Sequence, residues 1–286
     1  MMISHSKKQV MDNKKRSGSQ PLFPLLFLFA ACVLLLAHCK TMKNKNLEFP
    51  PGVVVFSFDD GPNASENTTL RLLEVLEKYK IRSCFTLLGI NAERHPDLVK
   101  RIAEGGHRII NHGYGEKWSV FMNNETFINN LLEGERAIYA AFEPDAAARS
   151  PEKQQVFDIP MYRPHGAFYK KGQQQLWEKQ GYYLAPCSVF VQDAVLSEKD
   201  REKIINRIMK KIEKQNGGII LLHDARDSYT AMEAKTAKKP RSEFNRAWIP
   251  GMVEEIIIIL QEKNYRISGF DPIEIPGVLS STRSIP

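Results

Sequence analysis

The feature that most constrains the fold is an alternation between short apolar runs and longer amphipathic runs, which begins at residue 53. Residues 53–58 (VVVFSF) are rich in β-branched side chains and end at two acids and a Gly-Pro pair, which predicts a buried strand. Residues 66–79 place their leucines on one helical face, which predicts a helix. Strands that alternate with helices favour an α/β fold with a parallel sheet, open or closed into a barrel.

The alternation continues almost to the end of the chain. Further strands are predicted at residues 83–88, 108–110, 182–185, 218–222 and 265–268. Further helices are predicted at residues 96–104, 125–141, 173–179, 198–214 and 251–263. Two polar stretches, near 143–158 and 225–245, interrupt the pattern and are typical of surface insertions on one domain. We therefore expect a single catalytic domain over residues 50–272, with a tail at 273–286.

The N-terminal segment explains the net charge of +7. Residues 1–46 hold eight Lys or Arg and one Asp, so the rest of the chain has 32 basic and 32 acidic residues and gives no reason to expect a nucleic-acid partner. Behind this basic leader, residues 22–37 are sixteen uncharged, mostly apolar residues. Residues 1–39 are therefore predicted to be a signal peptide or a membrane or lipid anchor, followed by a linker at 40–49 and an extracytoplasmic domain.

The four cysteines divide into two pairs. Cys32 and Cys39 lie in the N-terminal segment, where lipid could be attached. Cys84 and Cys187 lie in apolar, strand-like runs. Export permits a disulfide, but we expect these two residues to be buried free thiols because neither lies in a loop.

Polar side chains follow the apolar runs, and in parallel α/β folds the reacting groups collect past the carboxyl ends of the strands. Asp59 and Asp60 follow the first strand, and one acid could ligate a cation while the other acts as a base. His112 follows the third strand, and Glu116 lies four residues later, a spacing that suits two ligands of one metal if the stretch forms a helical turn. Later runs are followed by Arg163, Asp193, His223 and Asp224.

Four segments carry a resemblance to a known family: residues 57–62 (SFDDGP), 106–112 (GHRIINH), 163–166 (RPHG) and 221–224 (LLHD). In this order they resemble the polysaccharide deacetylases of carbohydrate esterase family 4, the NodB-like domain, over roughly residues 50–270. The resemblance implies a distorted (β/α) barrel with fewer than eight strands. It also implies hydrolysis of N-acetyl groups from N-acetylglucosamine-type units of a polysaccharide, with peptidoglycan or chitooligosaccharide as the expected partner.

The resemblance also implies roles for individual residues. Asp59 would be the general base, with Arg163 holding and orienting it. His223 would protonate the departing amine, and Asp193 would keep this histidine charged or correctly oriented. Tyr162, Trp118 and Phe168 are candidate stacking surfaces for a sugar ring, with ordinary packing as the alternative for each.

A divalent metal is implied as cofactor, held by Asp60 and His112 together with a third ligand. Zinc is favoured, with manganese, cobalt or magnesium as alternatives. Glu116 stands where the family has its second metal histidine, and we expect it to bind the metal. The alternative is that Glu116 points away from the site, which would then bind metal poorly. His165 stands where the family usually has Pro-Tyr, and it would line the cleft or lie in a surface loop.

There are two alternatives to a sugar deacetylase. The first is a cell-surface carbohydrate-binding protein on the same fold, whose turnover is lost because Glu116 has spoiled the metal site. The second is hydrolysis of a non-sugar amide or an ester. The sequence gives no indication of the oligomeric state.

Overall fold

The fold is organised around β2 (Val53–Asp59), a strand whose seven residues are all buried. Its side chains alternate between two faces, as in any strand. Val54, Phe56 and Phe58 pack in the largest hydrophobic cluster, whereas Val55 packs in a separate cluster. Because both faces of β2 are covered, the strand requires the continuous apolar run that the sequence shows.

The structure is a computed structural model that describes residues 40–41, 49–115, 117–142, 160–225 and 246–270. All of these residues belong to one compact unit, Cys39–Pro286. The predicted leader, the tail, most of the linker and nearly all of both insertions lie outside the described residues. Within the described ranges, no helix is long and apolar enough to cross a membrane.

Ten strands are described, and most of them are short. They are β1 (Lys40–Thr41), β2, β3 (Cys84–Leu87), β4 (Arg108–Asn111), β5 (Met161–Tyr162), β6 (Phe168–Tyr169), β7 (Tyr183–Leu184), β8 (Val189–Phe190), β9 (Gly217–His223) and β10 (Arg266–Ile267). The main sheet has the order β7-β5-β4-β3-β2-β9-β8, and β10 pairs with the start of β2. All pairings in this sheet are parallel, and β1 and β6 form a separate antiparallel pair.

Seven α-helices accompany the strands in the described residues. They are α1 (Thr68–Lys78), α2 (Gly89–Arg94), α3 (Pro96–Glu104), α4 (Asn124–Phe142), α5 (Lys171–Lys179), α6 (Arg201–Gln215) and α7 (Ile249–Glu262). The buried faces of α1, α3, α6 and α7 share the largest cluster with the outer face of β2. This arrangement of helices around a curled parallel sheet confirms the predicted distorted (β/α) barrel.

The strand register brings the predicted polar residues to one edge of the sheet. Asp59 is the partner of His223 in the β2–β9 pair. On the other side, Asn111 at the end of β4 is the partner of Leu87 and of Tyr162. Because the paired strands are parallel, the segments that follow β2, β4, β5 and β9 leave the sheet side by side.

Close packing of α4 supports the segment that follows β4 at this edge of the sheet. Gly134 in α4 lies against the segment that follows β4, where a Cβ atom would stand 2.5 Å from the carbonyl carbon of Gly113. We expect Gly134→Ala to lower the free energy of unfolding by about 1–3 kcal/mol, because the backbone must shift to admit the methyl group. Gly251→Ala in α7 is the control, since its Cβ would lie 3.7 Å from Arg201. Denaturant unfolding of both variants measures the difference, and equal stabilities would contradict the packing argument.

Candidate active site

A cluster of three buried side chains at this edge has the composition of a metal site. Asp60, His112 and His165 each offer one ligand atom, and these atoms lie within 4.8 Å of one another. Asp60 Oδ1 is 3.3 Å from Nε2 of His112 and 3.7 Å from Nε2 of His165. In the described part of the chain, Asp60 Oδ1 is buried without a hydrogen-bond partner. A buried acceptor that faces two imidazole nitrogens fits a divalent cation with N and O ligands.

Hydrogen bonds prepare His112 for ligation. Its Nδ1 lies 2.7 Å from the carbonyl oxygen of Arg163. A carbonyl only accepts, so Nδ1 carries the proton and donates it, which leaves the Nε2 lone pair directed at Asp60. This backbone contact is the kind of outer partner that fixes the ring orientation of a metal-binding histidine.

His165 and Asp60 both have protonation states that suit a ligand. Burial lowers the pKa of His165 to about 4, so its imidazole is neutral at pH 7. Burial alone would raise the pKa of Asp60, but its close approach to His112 and the positive charge of His223 hold it well below its ordinary value. Asp60 has a left-handed backbone (φ 73°), and its carbonyl accepts a 2.8 Å hydrogen bond from Nδ2 of Asn91. Such backbone conformations in non-glycine residues concentrate at functional sites.

Arg163 fixes the orientation of Asp59. The guanidinium is buried and donates to Asp59 Oδ1, to Ser57 Oγ at 2.6 Å and to Thr86 Oγ1 at 3.0 Å. The other oxygen of this carboxylate, Asp59 Oδ2, faces the candidate metal ligands and lies 3.9 Å from Nε2 of His112. One carboxylate oxygen is therefore held by the arginine, while the other is free to accept a proton beside the candidate cation.

A second charged unit lies at the end of β9. Nδ1 of His223 is 2.9 Å from Asp193 Oδ1, and the backbone N–H of His223 donates to Oδ2 of the same carboxylate. Arg246 donates to this carboxylate and to the carbonyl oxygens of Asp193 and His223. Burial alone would lower the pKa of His223, but the charge and hydrogen bond of Asp193 raise it to about 9. His223 is therefore protonated at neutral pH and able to donate a proton.

Asp224 supports the turn that carries Asp60. It is fully buried, and Thr69 Oγ1 donates a 2.5 Å hydrogen bond to its Oδ2. Burial raises its pKa to about 7. A Cβ atom at Gly61 would lie 2.7 Å from Asp224 Oδ1, so the turn after Asp60 packs directly on this carboxyl group. The sequence motif contained Asp224, but no role was predicted for it.

The structure brings together most of the predicted site residues. Asp59, Asp60, His112, Arg163, Asp193 and His223 lie at one edge with the contacts described above. Glu116 lies outside the described residues, and its role as a ligand stays a prediction. His165, predicted to line the cleft or to lie in a surface loop, is buried beside Asp60. Arg246 was not predicted, because some twenty residues of polar insertion separate it from the β9 motif.

The candidate sugar-stacking residues differ from one another. Tyr162 is buried in an aromatic cluster and its hydroxyl is 2.9 Å from Ser119 Oγ, so this ring packs inside the protein. Phe168 is half-buried in β6. Trp118 is 46 % exposed and is the most exposed of the three candidates. Cys84 and Cys187 are buried thiols and are not joined in a disulfide, as expected.

Comparison with known proteins agrees with this geometry. A model of the polysaccharide deacetylase family matches residues 46–152. A peptidoglycan-N-acetylglucosamine deacetylase of Bacillus cereus is 25 % identical over 186 residues, which cover 65 % of this chain and 79 % of that protein. The PgdA deacetylase of Listeria monocytogenes is 26 % identical over 192 residues, which cover 66 % of this chain but 36 % of that protein.

Solved structures show the same fold. The Bc1960 peptidoglycan N-acetylglucosamine deacetylase aligns with a TM-score of 0.60 at 23 % identity, covering 78 % of this chain and 88 % of that one. BA3943, a family 4 pseudoenzyme from Bacillus anthracis, aligns with a TM-score of 0.57 at 17 % identity, covering 78 % and 66 %. The family match lies in residues 46–152, and the named relatives and the shared fold bear out the predicted resemblance and enzyme class.

Proposed function

We propose that this protein is a metal-dependent deacetylase that removes acetyl groups from N-acetylglucosamine-type units of peptidoglycan or a chitooligosaccharide. The observation that carries the proposal is the convergence of Asp60, His112 and His165 beside a carboxylate and a protonated histidine. The names of the relatives support the substrate class. The domain would act outside the cytoplasm, exported by residues 1–39, which also offer the means of membrane or lipid attachment.

The proposed ligand set is Asp60, His112 and His165, and zinc suits its two imidazoles and one carboxylate. When bound there, the metal supplies Lewis-acid polarisation of the acetyl carbonyl and lowers the pKa of water. Manganese, cobalt and magnesium are the alternatives to test. Glu116 remains an alternative third ligand.

The protein side chains divide the proton transfers between them. Asp59 accepts a proton from the attacking water through Oδ2, while Arg163 holds Oδ1. As the amide C–N bond breaks, His223 donates a proton to the departing amine, with Asp193 stabilising its charged form. One water is consumed, and acetate and a free amine are released. Each proton transfer uses a side chain whose partner is buried and fixed.

Acetate release tests the function directly. We expect the purified zinc-loaded protein to release acetate from a β-1,4-linked N-acetylglucosamine tetramer, and a chelator to abolish release until zinc is restored. A second candidate function is carbohydrate binding without turnover, which the missing family histidine and the pseudoenzyme neighbour favour. Tetramer binding with no acetate release under zinc, manganese, cobalt or magnesium would establish that alternative. Turnover of small acetyl esters alone would establish a non-sugar hydrolase.

The pH dependence tests the role of His223. A general acid must be protonated, so activity should decline as the pH rises through its pKa, which Asp193 raises to about 9. Asp193→Asn removes the negative charge, so this pKa should fall and the alkaline limb of the kcat profile should move down by more than about 1 pH unit. Asp97→Asn removes an exposed charge from α3 and should leave the limb in place. An unmoved limb in Asp193→Asn would remove His223 from the acid role.

A further inference from the structure

Two large aromatic rings remain exposed beside the candidate metal site. Trp118 is 46 % exposed and Phe121 is 52 % exposed. Their rings are nearly parallel, with an interplanar angle of 14° and centroids 6.0 Å apart. In the described residues, three other large apolar side chains are more than a third exposed, namely Tyr139, Val195 and Ile258. Trp118 and Phe121 thus form an exposed aromatic face, named the aromatic face below.

The backbone under the aromatic face is anchored by buried groups. The rings flank a 3₁₀ turn, Ser119–Phe121, in which Ser119 is buried. The carbonyl of Ser119 accepts a 2.6 Å hydrogen bond from Nε2 of the fully buried Gln173. The hydroxyl of Ser119 is 2.9 Å from the Tyr162 hydroxyl. Because the turn is fixed from below, exposure of the two rings is not the result of a loose loop.

The aromatic face adjoins the loop that carries His165. The backbone N–H of Ser119 donates to the carbonyl oxygen of His165 at 3.1 Å. The inner face of the Trp118 indole lies on Gly166, where a Cβ atom would be 2.6 Å from Cγ of the indole. Gly166 also has φ +82°, a conformation that favours glycine. Trp118 therefore packs on the residue next to a proposed metal ligand, while 46 % of its surface stays exposed.

We propose that the aromatic face is a subsite that holds a pyranose ring of the polymer next to the unit whose acetyl group enters the metal site. A pyranose presents a face of C–H groups, and flat aromatic rings bury such a face well. Exposed apolar patches with polar surroundings mark binding sites. This inference rests on the proposed function for the position of the reacting unit. Its occupant is a neighbouring sugar ring, because the aromatic face is continuous with the loop of His165.

Binding is measured first, in the full chain carrying Asp59→Asn to block turnover. Trp118 is the exposed one of three tryptophans, since Trp177 and Trp248 are buried. A β-1,4-linked N-acetylglucosamine tetramer should change the tryptophan emission, and Trp118→Phe should remove most of that change. By calorimetry, Trp118→Ala should raise the Kd of the tetramer about tenfold, as expected for uncovering roughly 60 Å² of apolar contact. Phe121→Ala should raise it less, and Trp118→Phe should largely preserve it.

Turnover supplies the second measurement. In the otherwise native protein, the ratio of kcat/KM for the tetramer to kcat/KM for N-acetylglucosamine should fall about tenfold in Trp118→Ala. Tyr139→Ala, which removes a partly exposed ring from α4, should leave this ratio unchanged. Circular dichroism and the melting temperature check that each variant is folded. If Trp118→Ala is unfolded, the same ratio is measured in Phe121→Ala instead.

The outcomes separate this inference from the proposed function. Acetate release with an unchanged ratio and Kd in both Trp118→Ala and Phe121→Ala would overturn the subsite alone. Tetramer binding that depends on Trp118, without acetate release, would overturn the deacetylase and keep the subsite. Absence of tetramer binding by the starting protein would overturn the subsite. A variant that changes the oligomeric state by size-exclusion chromatography, with Kd unchanged, would overturn it in favour of contact between two copies of this chain.

Discussion

His165→Ala is expected to lower the zinc affinity of the protein by more than about 100-fold, a larger loss than removal of an outer-sphere partner causes. The reason is geometric, since His165 Nε2 lies 3.7 Å from the unpartnered oxygen of Asp60 and its imidazole is neutral. Metal analysis and competition with a chelating dye measure the affinity. Acetate release should fall with zinc occupancy and recover in part at high zinc concentration.

Glu116→Ala is the matched variant for this experiment. If the ligands are Asp60, His112 and His165, zinc affinity in Glu116→Ala should stay within about threefold of that of the starting protein. This change is smaller than the loss of affinity expected when an outer-sphere partner of a ligand is removed. His95→Ala controls for the loss of any histidine, since His95 lies at the start of α3, outside the cluster. The reverse pattern, with affinity lost in Glu116→Ala and retained in His165→Ala, would establish Glu116 as the third ligand.

Asp59→Asn is expected to lower kcat for acetate release by about 10²–10⁴-fold, the range typical of a general base. Zinc content should not change, because Asp59 is not in the proposed ligand set. Asparagine keeps an acceptor for the Arg163 guanidinium but removes its counter-charge, so the variant should be less stable, and circular dichroism checks that the assayed protein is folded. Stopped acetate assays at saturating tetramer give kcat, and metal analysis of the same preparation gives occupancy.

Ser57→Ala is the control for Asp59→Asn. Ser57 also accepts from Arg163, so its removal disturbs the same guanidinium without removing a base. We expect a loss of less than about tenfold, as for a single hydrogen bond. Equal losses in the two variants would show that positioning of Arg163, rather than proton transfer by Asp59, governs the rate.

Two of the strands that carry the site were predictable because they are long and almost continuously buried. β2 and β9 are apolar runs that end in acids or histidine, so both the elements and the reactive residues after them follow from the pattern. β5 and β8 were not predicted as strands. α2 was missed because six residues with little apolar character give no helical stripe.

The third candidate ligand depended on tertiary structure. Nothing in the local sequence around His165 shows that the loop after β5 folds back onto Asp60. That return is fixed by distant contacts, namely the hydrogen bond from Ser119 to the His165 carbonyl and the packing of Trp118 on Gly166. The spacing rule that pointed to Glu116 considered ligands from one segment, whereas the cluster draws its atoms from three. A scan for histidines after every strand would have included His165.

The burial of Arg163 against Asp59 has a consequence for how such a domain can change over generations. Arg163 is 1 % exposed, so its positive charge needs a buried negative partner to remain in the folded protein. The proposed base is therefore also a structural counter-ion, and a lineage that abandoned acetyl removal could not discard it freely. Substitutions that delete the acid alone should be purged for misfolding even where the activity is dispensable. A descendant without the activity is therefore expected to retain this pair, or to lose both members together, and to have inactivated the site at His165 or His223 instead.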